Sequence, residues 1–314
     1  MEKHDYSDLT IIPHSDGPTP LAPILYSENY SKAMGILRAL MANQELSERA
    51  LDLTTEIIDQ NPAHYTVWAY RVNIIQELGV DFLINELEWV DSIAMEATKN
   101  YQIWPHRQII LNMMSSIPEI KDKIDVGAEL ALVDTLLEDD NKNYHVWSYR
   151  QWLFNRFDLS FSREDTFTRY MIDLDVRNNS AWNYRFFLLS ATVLKPSSVF
   201  DLDILAEELD YIFANIEKAP QNQSPWSYLE GVMKHVGQNL SDLEDRFTRF
   251  ANIGSEGESD VEPLVRSSHA LNILAKIYAS KGQKTLAIKA LDLLANTYDP
   301  IREGYWAYRK SQLA

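Results

Sequence analysis

The sequence has 314 residues and no cysteine, which excludes disulfide bonds, thiolate metal ligands and a cysteine nucleophile. It also lacks an apolar run of about 18 residues, so no segment is expected to cross a bilayer. The N-terminal stretch MEKHDYSDLTIIPHSDGPTP has no apolar core of the kind found in secretory signals. The absence of cysteine fits a reducing compartment. Together with the lack of a membrane span and of a secretory signal, it leads us to expect a cytoplasmic protein without an integral membrane segment.

Positive charge is also scarce. Lys and Arg number 29 against 46 Asp and Glu, which gives a formal net charge of −17. A chain this acidic repels phosphates, so nucleic acid is not expected as a partner. The seven histidines form no HExxH pair, and a zinc site built by this chain alone is therefore not expected.

Tryptophan shows how the sequence is organised. Alignment on Trp gives six windows of eleven residues: 61–71, 97–107, 140–150, 175–185, 219–229 and 299–309. Trp holds the eighth position, Tyr or His the tenth, and Arg the eleventh, except for Leu229 in the fifth window. The last gap between tryptophans is about twice the others, so residues 264–279 are predicted to hold a degenerate unit.

Periods of about 35–45 residues are typical of helical hairpins stacked as a solenoid. Residues 82–97 have the pattern of an amphipathic helix, and a second helix carrying the Trp follows. Asn61 and Pro62 predict a helix start at that point. We interpret the Trp as core and the Arg as the partner of a carboxylate on the neighbouring unit, so Leu229 predicts one missing ion pair.

The residues just before Trp differ between windows. Lys-Asn-Tyr occurs at 99–101 and again at 142–144, and Arg-Asn-Asn occurs at 177–179. Each triplet lies where a loop enters a helix, and in a solenoid such junctions line up along one edge. Helix N-termini add free N–H groups and partial positive charge. The pattern therefore indicates a stripe of donors that suits a phosphate or diphosphate.

Windows two to four, with KNYQIW, KNYHVWSYRQW and DVRNNSAWNYR in order, resemble the alpha subunit shared by protein farnesyltransferase and protein geranylgeranyltransferase type I. DGPTP at 16–20 and ILYS at 24–27 resemble the extended segment that precedes the first hairpin in that family. The resemblance implies an all-α fold, a crescent-shaped right-handed α-α superhelix. It also implies an extended N-terminal segment at 1–30 and a single helical-repeat domain at 31–314.

The resemblance implies an enzyme subunit that is inactive without its beta subunit. Enzymes of this family transfer a farnesyl or geranylgeranyl group from its diphosphate to a cysteine thiolate near the C-terminus of acceptor proteins. In the family the beta subunit holds the catalytic Zn²⁺, and Mg²⁺ accompanies the diphosphate in farnesyl transfer. The expected partners are therefore a beta subunit, a prenyl diphosphate and CaaX peptides, and no metal ligands are expected in this chain.

Two residues are assigned catalytic roles by the resemblance. Lys99 matches the family lysine that reaches the diphosphate, where its ammonium group would stabilise the leaving group. Tyr101 matches a phenol beside that lysine, which can donate a hydrogen bond to phosphate or order the lysine.

Five further residues are expected at the substrate site. Gln102 matches the residue whose amide contacts the terminal carboxylate of the acceptor peptide. Tyr144 matches a second tyrosine on the diphosphate side, and Tyr65 matches a tyrosine near the peptide exit. Asn143 and His145 lie at the same edge, where either support of the site or packing would explain them.

One departure from the family pattern is Pro105, which directly follows Trp104. Proline in a helix lacks an N–H and clashes with the carbonyl four residues before it, so the helix is predicted to start near Pro105 or to have an irregular first turn.

Two alternative functions remain open. One is the alpha subunit of the Rab-specific geranylgeranyltransferase, and the other is a peptide-binding scaffold of the tetratricopeptide type.

Overall fold

The structure, a computed structural model, describes residues 4–192, 202–255 and 262–313. The chain forms two compact units, Met1–Phe157 and Asp158–Ala314. The helices of the first unit are α1 (Glu28–Ala42), α2 (Glu48–Gln60), α3 (Tyr65–Leu78), α4 (Val80–Glu96), α5 (Ile103–Ser116), α6 (Val126–Asp139) and α7 (Tyr144–Phe157). The all-α prediction is confirmed, and residues 4–27 precede α1 without forming a helix or strand.

The second unit continues the same pattern. Its helices are α8 (Phe161–Leu174), α9 (Asn179–Thr192), α10 (Leu202–Lys218), α11 (Gln223–Val236), α12 (Glu244–Thr248), α13 (Ser268–Ser280), α14 (Lys284–Leu293) and α15 (Glu303–Ser311). A two-stranded antiparallel ladder, β1 (Ala251–Asn252) with β2 (Leu264–Val265), lies between α12 and α13. Whether residues 31–314 act as one domain stays a prediction.

Each hairpin pairs a first helix with a second helix that carries the window tryptophan. All six window tryptophans are buried, with exposed fractions of at most 7%. In four second helices the indole N–H donates to the backbone carbonyl six residues earlier: Trp68 to Pro62, Trp147 to Asn141, Trp182 to Val176, and Trp226 to Pro220. The tryptophans therefore fill the core and also fix the turn that leads into the second helix.

Three window arginines, Arg71, Arg107 and Arg185, pair with buried glutamates of the next hairpin, as predicted. Arg71 on α3 donates from Nε and Nη2 to Glu86 on α4, at 2.6 and 2.7 Å. The same carboxylate is 2.7 Å from Nε2 of His106, on the second helix of that next hairpin. One glutamate thus joins side chains from two consecutive windows.

The same arrangement recurs at other junctions. Glu129 accepts from Arg107 and Tyr149, at 2.5 and 2.6 Å. Glu208 accepts from Arg185 and, at 2.7 Å, from Tyr228. Leu229, which replaces the fifth arginine, is fully buried and provides no such donor. The predicted loss of one ion pair follows from that apolar side chain.

The degenerate unit predicted at 264–279 is present: these residues hold β2 and nearly all of α13, which packs against the short helix α12. Its second helix, α13, starts at Ser268, and Ser267 accepts the N–H of Ala270 as an N-cap. Leu271, the fourth residue of α13, stands where Trp226 stands in α11, and it is fully buried. Leucine therefore replaces tryptophan as the core side chain of this repeat.

Two predictions of helix starts had different outcomes. Asn61 and Pro62 do not begin a helix, because α3 begins only at Tyr65, after a turn. The prediction for Pro105 is confirmed. Helix α5 begins at Ile103, two positions later in its window than α3 and α7 begin in theirs, because proline offers no N–H to the carbonyl of Tyr101.

Removing one member of a glutamate junction should destabilise the protein strongly. In Glu208→Gln the buried guanidinium of Arg185 loses a full counter-charge, and we expect the free energy of unfolding to fall by about 3 kcal/mol. Denaturant unfolding measures the loss. Glu207→Gln is the matched control: this neighbour is exposed, and its replacement should change stability by less than about 0.5 kcal/mol. An equal loss of unfolding free energy in the two variants would show that the junction around Glu208 contributes no more than an exposed carboxylate.

The junction at His106 should also make stability depend on pH. Burial lowers the pKa of His106 below its ordinary value of 6.5, although the hydrogen bond to Glu86 opposes this. Burial alone would raise the pKa of Glu86, but the hydrogen bond from His106 and the charge of Arg71 outweigh it and lower the pKa. His106 is therefore neutral in the folded protein near neutral pH.

Because the unfolded chain binds the His106 proton more tightly than the folded chain, the free energy of unfolding should fall as the pH drops below about 6.5. His106→Tyr introduces the residue type of the other junctions and should flatten this part of the profile. Thermal unfolding between about pH 7 and 5.5 checks it, with His14→Tyr, at an exposed histidine, as the control. Parallel profiles for the original and the His106 variant would contradict the assignment.

Candidate functional site

The turn that enters α5 carries Lys99 and is held by the third hairpin. The amide Nδ2 of Asn143 donates to the carbonyl of Thr98 at 3.0 Å. The ammonium Nζ of Lys99 lies 3.3 Å from Oδ2 of Asp140, and the Lys99 side chain is 80% exposed. The structure thus brings the 98–102 turn next to the 140–145 segment, as the alignment of junctions predicted.

Tyr101 and Gln102 lie within the same turn. Tyr101 is 51% exposed, and no hydrogen bond of its phenol is found within the described part of the chain. The backbone N–H of Gln102 donates to Oδ1 of Asn100 at 2.7 Å, and its carbonyl accepts from the N–H of His106. The side chain of Gln102 is half-buried. The late start of α5 therefore leaves both residues outside the helix.

The third hairpin presents the other part of the candidate site. Tyr144 is the first residue of α7, is 76% exposed, and packs edge-to-face on His145 with ring centroids 5.6 Å apart. Asn143 is buried, and its Oδ1 accepts the N–H groups of His145 and Val146. Since its Nδ2 holds Thr98, Asn143 supports both turns rather than facing solvent.

Tyr65 stands at the equivalent place in the first hairpin. It is the first residue of α3, is 67% exposed, and contacts the ring of His64. In the described residues it shares no hydrogen bond or ion pair with the other six candidates. The structure therefore joins Lys99 to the third-hairpin residues but leaves Tyr65 on its own helix.

The capping role of asparagine was missed by the sequence analysis, although the signal is present. Windows two to five all have Asn at the fourth position. Asn143, Asn178 and Asn222 each accept N–H groups at the start of the following helix. These side chains occupy helix N-termini that would otherwise be free to bind an anion. At the second window, Asn100 bonds only the N–H of Gln102 among the described contacts.

Charge is divided between the two kinds of helix. The first helices α2, α4, α6, α8 and α10 together contain 21 Asp and Glu and four Lys and Arg. The second helices α3, α5, α7, α9 and α11 contain two and six, respectively. The second helices are therefore nearly free of acidic residues, and their exposed surface is mainly aromatic and uncharged polar.

A cavity in the second unit was not predicted from the sequence. It measures about 630 Å³ and lies between α9 and α11, lined by Asn179, Asn183, Gln223, Ser227 and Phe186 among others. Its lining carries no acidic or basic side chain. Like Tyr65 and Tyr144 of the first unit, it lies on second helices.

The part of the chain that the structure describes holds neither a metal-binding cluster nor a membrane-spanning helix. Within the residues that the structure describes, no group of three or more His, Asp or Glu side chains is placed to hold a metal ion. Helices of the described ranges are too short or too polar to cross a membrane. The turn at 98–102 and the start of α7 together offer the exposed ammonium of Lys99 and the exposed phenols of Tyr101 and Tyr144, which can donate to an anion.

Comparisons with known proteins agree with the repeat pattern. Five segments, 47–78, 83–114, 126–157, 161–192 and 205–236, match the family described as "Protein prenyltransferase alpha subunit repeat". Each segment spans one hairpin, from α2–α3 to α10–α11.

Several relatives match over the full length. The alpha subunit of protein farnesyltransferase/geranylgeranyltransferase type-1 from Candida albicans is 40% identical and covers 99% of this chain and 98% of its own. The corresponding subunit from Dictyostelium discoideum is 34% identical over 100% of this chain and 94% of its own. The type-2 alpha subunit of Candida albicans is 26% identical over only 63% of this chain and 47% of its own.

A solved structure is also similar. Candida albicans protein geranylgeranyltransferase-I complexed with GGPP contains a chain that superimposes with a TM-score of 0.90, at 38% identity and 100% coverage of both chains. The tetratricopeptide alternative is not supported, because the matching segments and the full-length relatives are those of prenyltransferases. The chain belongs to the protein prenyltransferase alpha-subunit family, with the alpha subunits of the farnesyltransferase/geranylgeranyltransferase type-1 kind.

Proposed function

We propose that this chain is the alpha subunit of a heterodimeric CaaX protein prenyltransferase. The observation that carries the proposal is the full-length match to alpha subunits of that kind, together with the exposed Lys99 turn at the edge of the second helices. The enzyme transfers a farnesyl or geranylgeranyl group to a cysteine near the C-terminus of an acceptor protein, and we place this reaction in the cytoplasm. The lower coverage of the type-2 subunit disfavours the Rab-specific enzyme.

The second helices are the face that a beta subunit would cover. A surface with few acidic residues in a chain of net charge −17 can be buried without leaving unpaired carboxylates at an interface. Exposed Tyr65 and Tyr144, and the uncharged cavity between α9 and α11, lie on these helices. The similar solved structure is a complex with a prenyl diphosphate, which supports both a beta subunit and that substrate class.

Metal chemistry belongs to the partner in this proposal. The described residues offer no donor set for zinc, so we place Zn²⁺ in the beta subunit and Mg²⁺ with the diphosphate. Bound zinc supplies the acceptor cysteine as a thiolate near neutral pH. This chain contributes the groups that act on the leaving diphosphate and on the acceptor peptide.

The chemical step is an S-alkylation. The thiolate sulfur forms a bond to C1 of the prenyl group while the bond from C1 to the diphosphate oxygen breaks, and the electron pair leaves with the diphosphate. Negative charge therefore grows on the diphosphate in the transition state. The ammonium of Lys99 and the phenols of Tyr101 and Tyr144, all exposed on one edge, are donors suited to that charge.

The acceptor peptide meets other side chains of the same edge. Gln102 carries an amide that can donate to the terminal carboxylate of the peptide. Tyr65, one hairpin earlier, lines the path by which the peptide leaves. Asn143 and His145 support the site, since Asn143 holds the carbonyl of Thr98 and caps the helix that begins with Tyr144.

Co-expression with a beta subunit of the farnesyltransferase or geranylgeranyltransferase type-1 kind should give a one-to-one complex. Prenyl transfer to a CaaX peptide should require both chains, because the zinc and this chain's donors lie on different subunits. Affinity purification followed by mass spectrometry and a transfer assay measures both. Transfer by this chain alone, or zinc bound stoichiometrically to it, would refute the proposal.

Lys99→Ala in the heterodimer should slow the chemical step. Loss of one charged donor is expected to cost about 1.5–3 kcal/mol in kcat, with a smaller effect on the affinity for the prenyl diphosphate. Single-turnover kinetics and equilibrium binding separate the two quantities. Lys121→Ala, which removes an equal charge from an exposed turn after α5, is the control and should leave both unchanged. Equal losses in rate and affinity would instead indicate simple ground-state binding.

A further inference from the structure

The second hairpin lacks a hydrogen bond that four others share. In those hairpins the indole N–H holds the carbonyl six residues before the tryptophan, at 2.8 to 3.0 Å. In the second hairpin the corresponding carbonyl belongs to Thr98, next to Lys99. Nε1 of Trp104 is nevertheless buried without a partner within the described ranges, in a side chain only 3% exposed. The turn that carries Lys99 is therefore not held by its own tryptophan.

Pro105 accounts for this difference. A residue with an N–H at this position could bond the carbonyl of Tyr101 and extend the helix toward its N-terminus, as happens in α3 and α7. Without that bond, residues 101 and 102 form a turn before Ile103, and the preceding backbone takes a different course into the helix. Trp104 keeps its place in the core, but the carbonyl of Thr98 is out of its reach.

Two contacts from the third hairpin hold the turn that carries Lys99. Asn143 holds the backbone of the turn through Thr98, and Asp140 holds the side chain of Lys99 at 3.3 Å. The first contact also occurs elsewhere in the repeat, since Asn222 donates to the carbonyl of Val176, whereas the second is an ion pair of Lys99 itself. Asp140 is itself fixed, because its Oδ1 accepts the N–H of Lys142 at 3.2 Å and its backbone N–H bonds the carbonyl of Leu136. A fixed carboxylate thus faces an ammonium at the end of a flexible side chain.

We propose that Asp140 is the positioning residue for Lys99: it holds the ammonium at the diphosphate edge before substrate binds and yields it to the departing diphosphate. This inference rests on the proposed role of Lys99. An ion pair with an 80% exposed lysine is weak, which suits a contact that must restrict the side chain and then be replaced by a more highly charged anion. The carboxylate also lies close enough to the site to oppose anion binding there.

These two effects predict that Asp140→Asn changes kcat and KM differently in the heterodimer. The restraint on Lys99 is lost, so kcat should fall about threefold to tenfold. The KM for the prenyl diphosphate should not rise, because a negative charge near the anion has been removed. Asparagine keeps the Oδ1 acceptor for the N–H of Lys142, so the turn itself should persist. Asp140→Glu, which retains the charge, should recover part of the lost rate.

Asp139→Asn is the matched control. Asp139 is the adjacent, exposed end of α6, and no contact of its side chain is found in the described part of the chain. Its replacement removes the same charge and should leave kcat unchanged. Thermal unfolding of the Asp140→Asn and Asp139→Asn heterodimers should give nearly the same midpoint as the original enzyme, since an ion pair with an 80% exposed lysine contributes little to stability.

Combining Asp140→Asn with Lys99→Ala tests whether Asp140 acts through Lys99. If Asp140 acts through Lys99, the second substitution should have no further effect on kcat. The same fold-loss in both backgrounds, an unchanged kcat for Asp140→Asn alone, or an equal loss in the Asp139 control would overturn the inference while leaving the proposed function intact. A Lys99→Ala enzyme with normal kcat would instead refute the proposed role of Lys99, and this inference with it.

Discussion

A buried glutamate that joins two consecutive hairpins is the interaction on which the rest of the structure depends. Glu86, Glu129 and Glu208 each accept an arginine from one hairpin and an imidazole or phenol from the next. A buried carboxylate or guanidinium is tolerated only when its charge and hydrogen bonds are satisfied, so the partners must meet in one register. Within each unit, this junction sets how one hairpin packs on the next.

That register places the starts of the second helices, where the candidate site lies. Asparagine caps and tryptophan indoles fix most of these junctions, and they leave little freedom to the turns they hold. The second hairpin is the exception. Pro105 delays the start of α5, and in the described residues the indole N–H of Trp104 lacks the backbone carbonyl partner that the other tryptophans have. The turn with Lys99 keeps the asparagine contact from the following hairpin, which Asn222 also makes to Val176, and adds the ion pair with Asp140. The candidate site therefore lies where the indole contact of the other hairpins is not found in the described residues.

Charge is divided between the first and second helices of each unit. Carboxylates gather on the first helices, where most are exposed to water and few are needed for the junctions. The second helices carry arginines that the junctions already bury and neutralise. Their remaining surface is aromatic and amide-rich, a composition that loses little hydration energy when a partner covers it. Lys99 has Asp140 as a neighbouring acid, 3.3 Å from its ammonium.

The sequence alone determined the hairpins, the tryptophan core, the arginine–carboxylate pairs and the degenerate unit at 264–279, because each depends on local periodicity and on residue types that bury in only a few ways. It also indicated the late start of α5, since the effect of Pro105 is local. The tertiary structure decided which carboxylate each arginine meets, that Asn143 is buried beneath the site, and that Asp140 reaches Lys99. These contacts join residues about 15 to 45 positions apart, and their geometry depends on how whole hairpins pack, which no short stretch of sequence specifies.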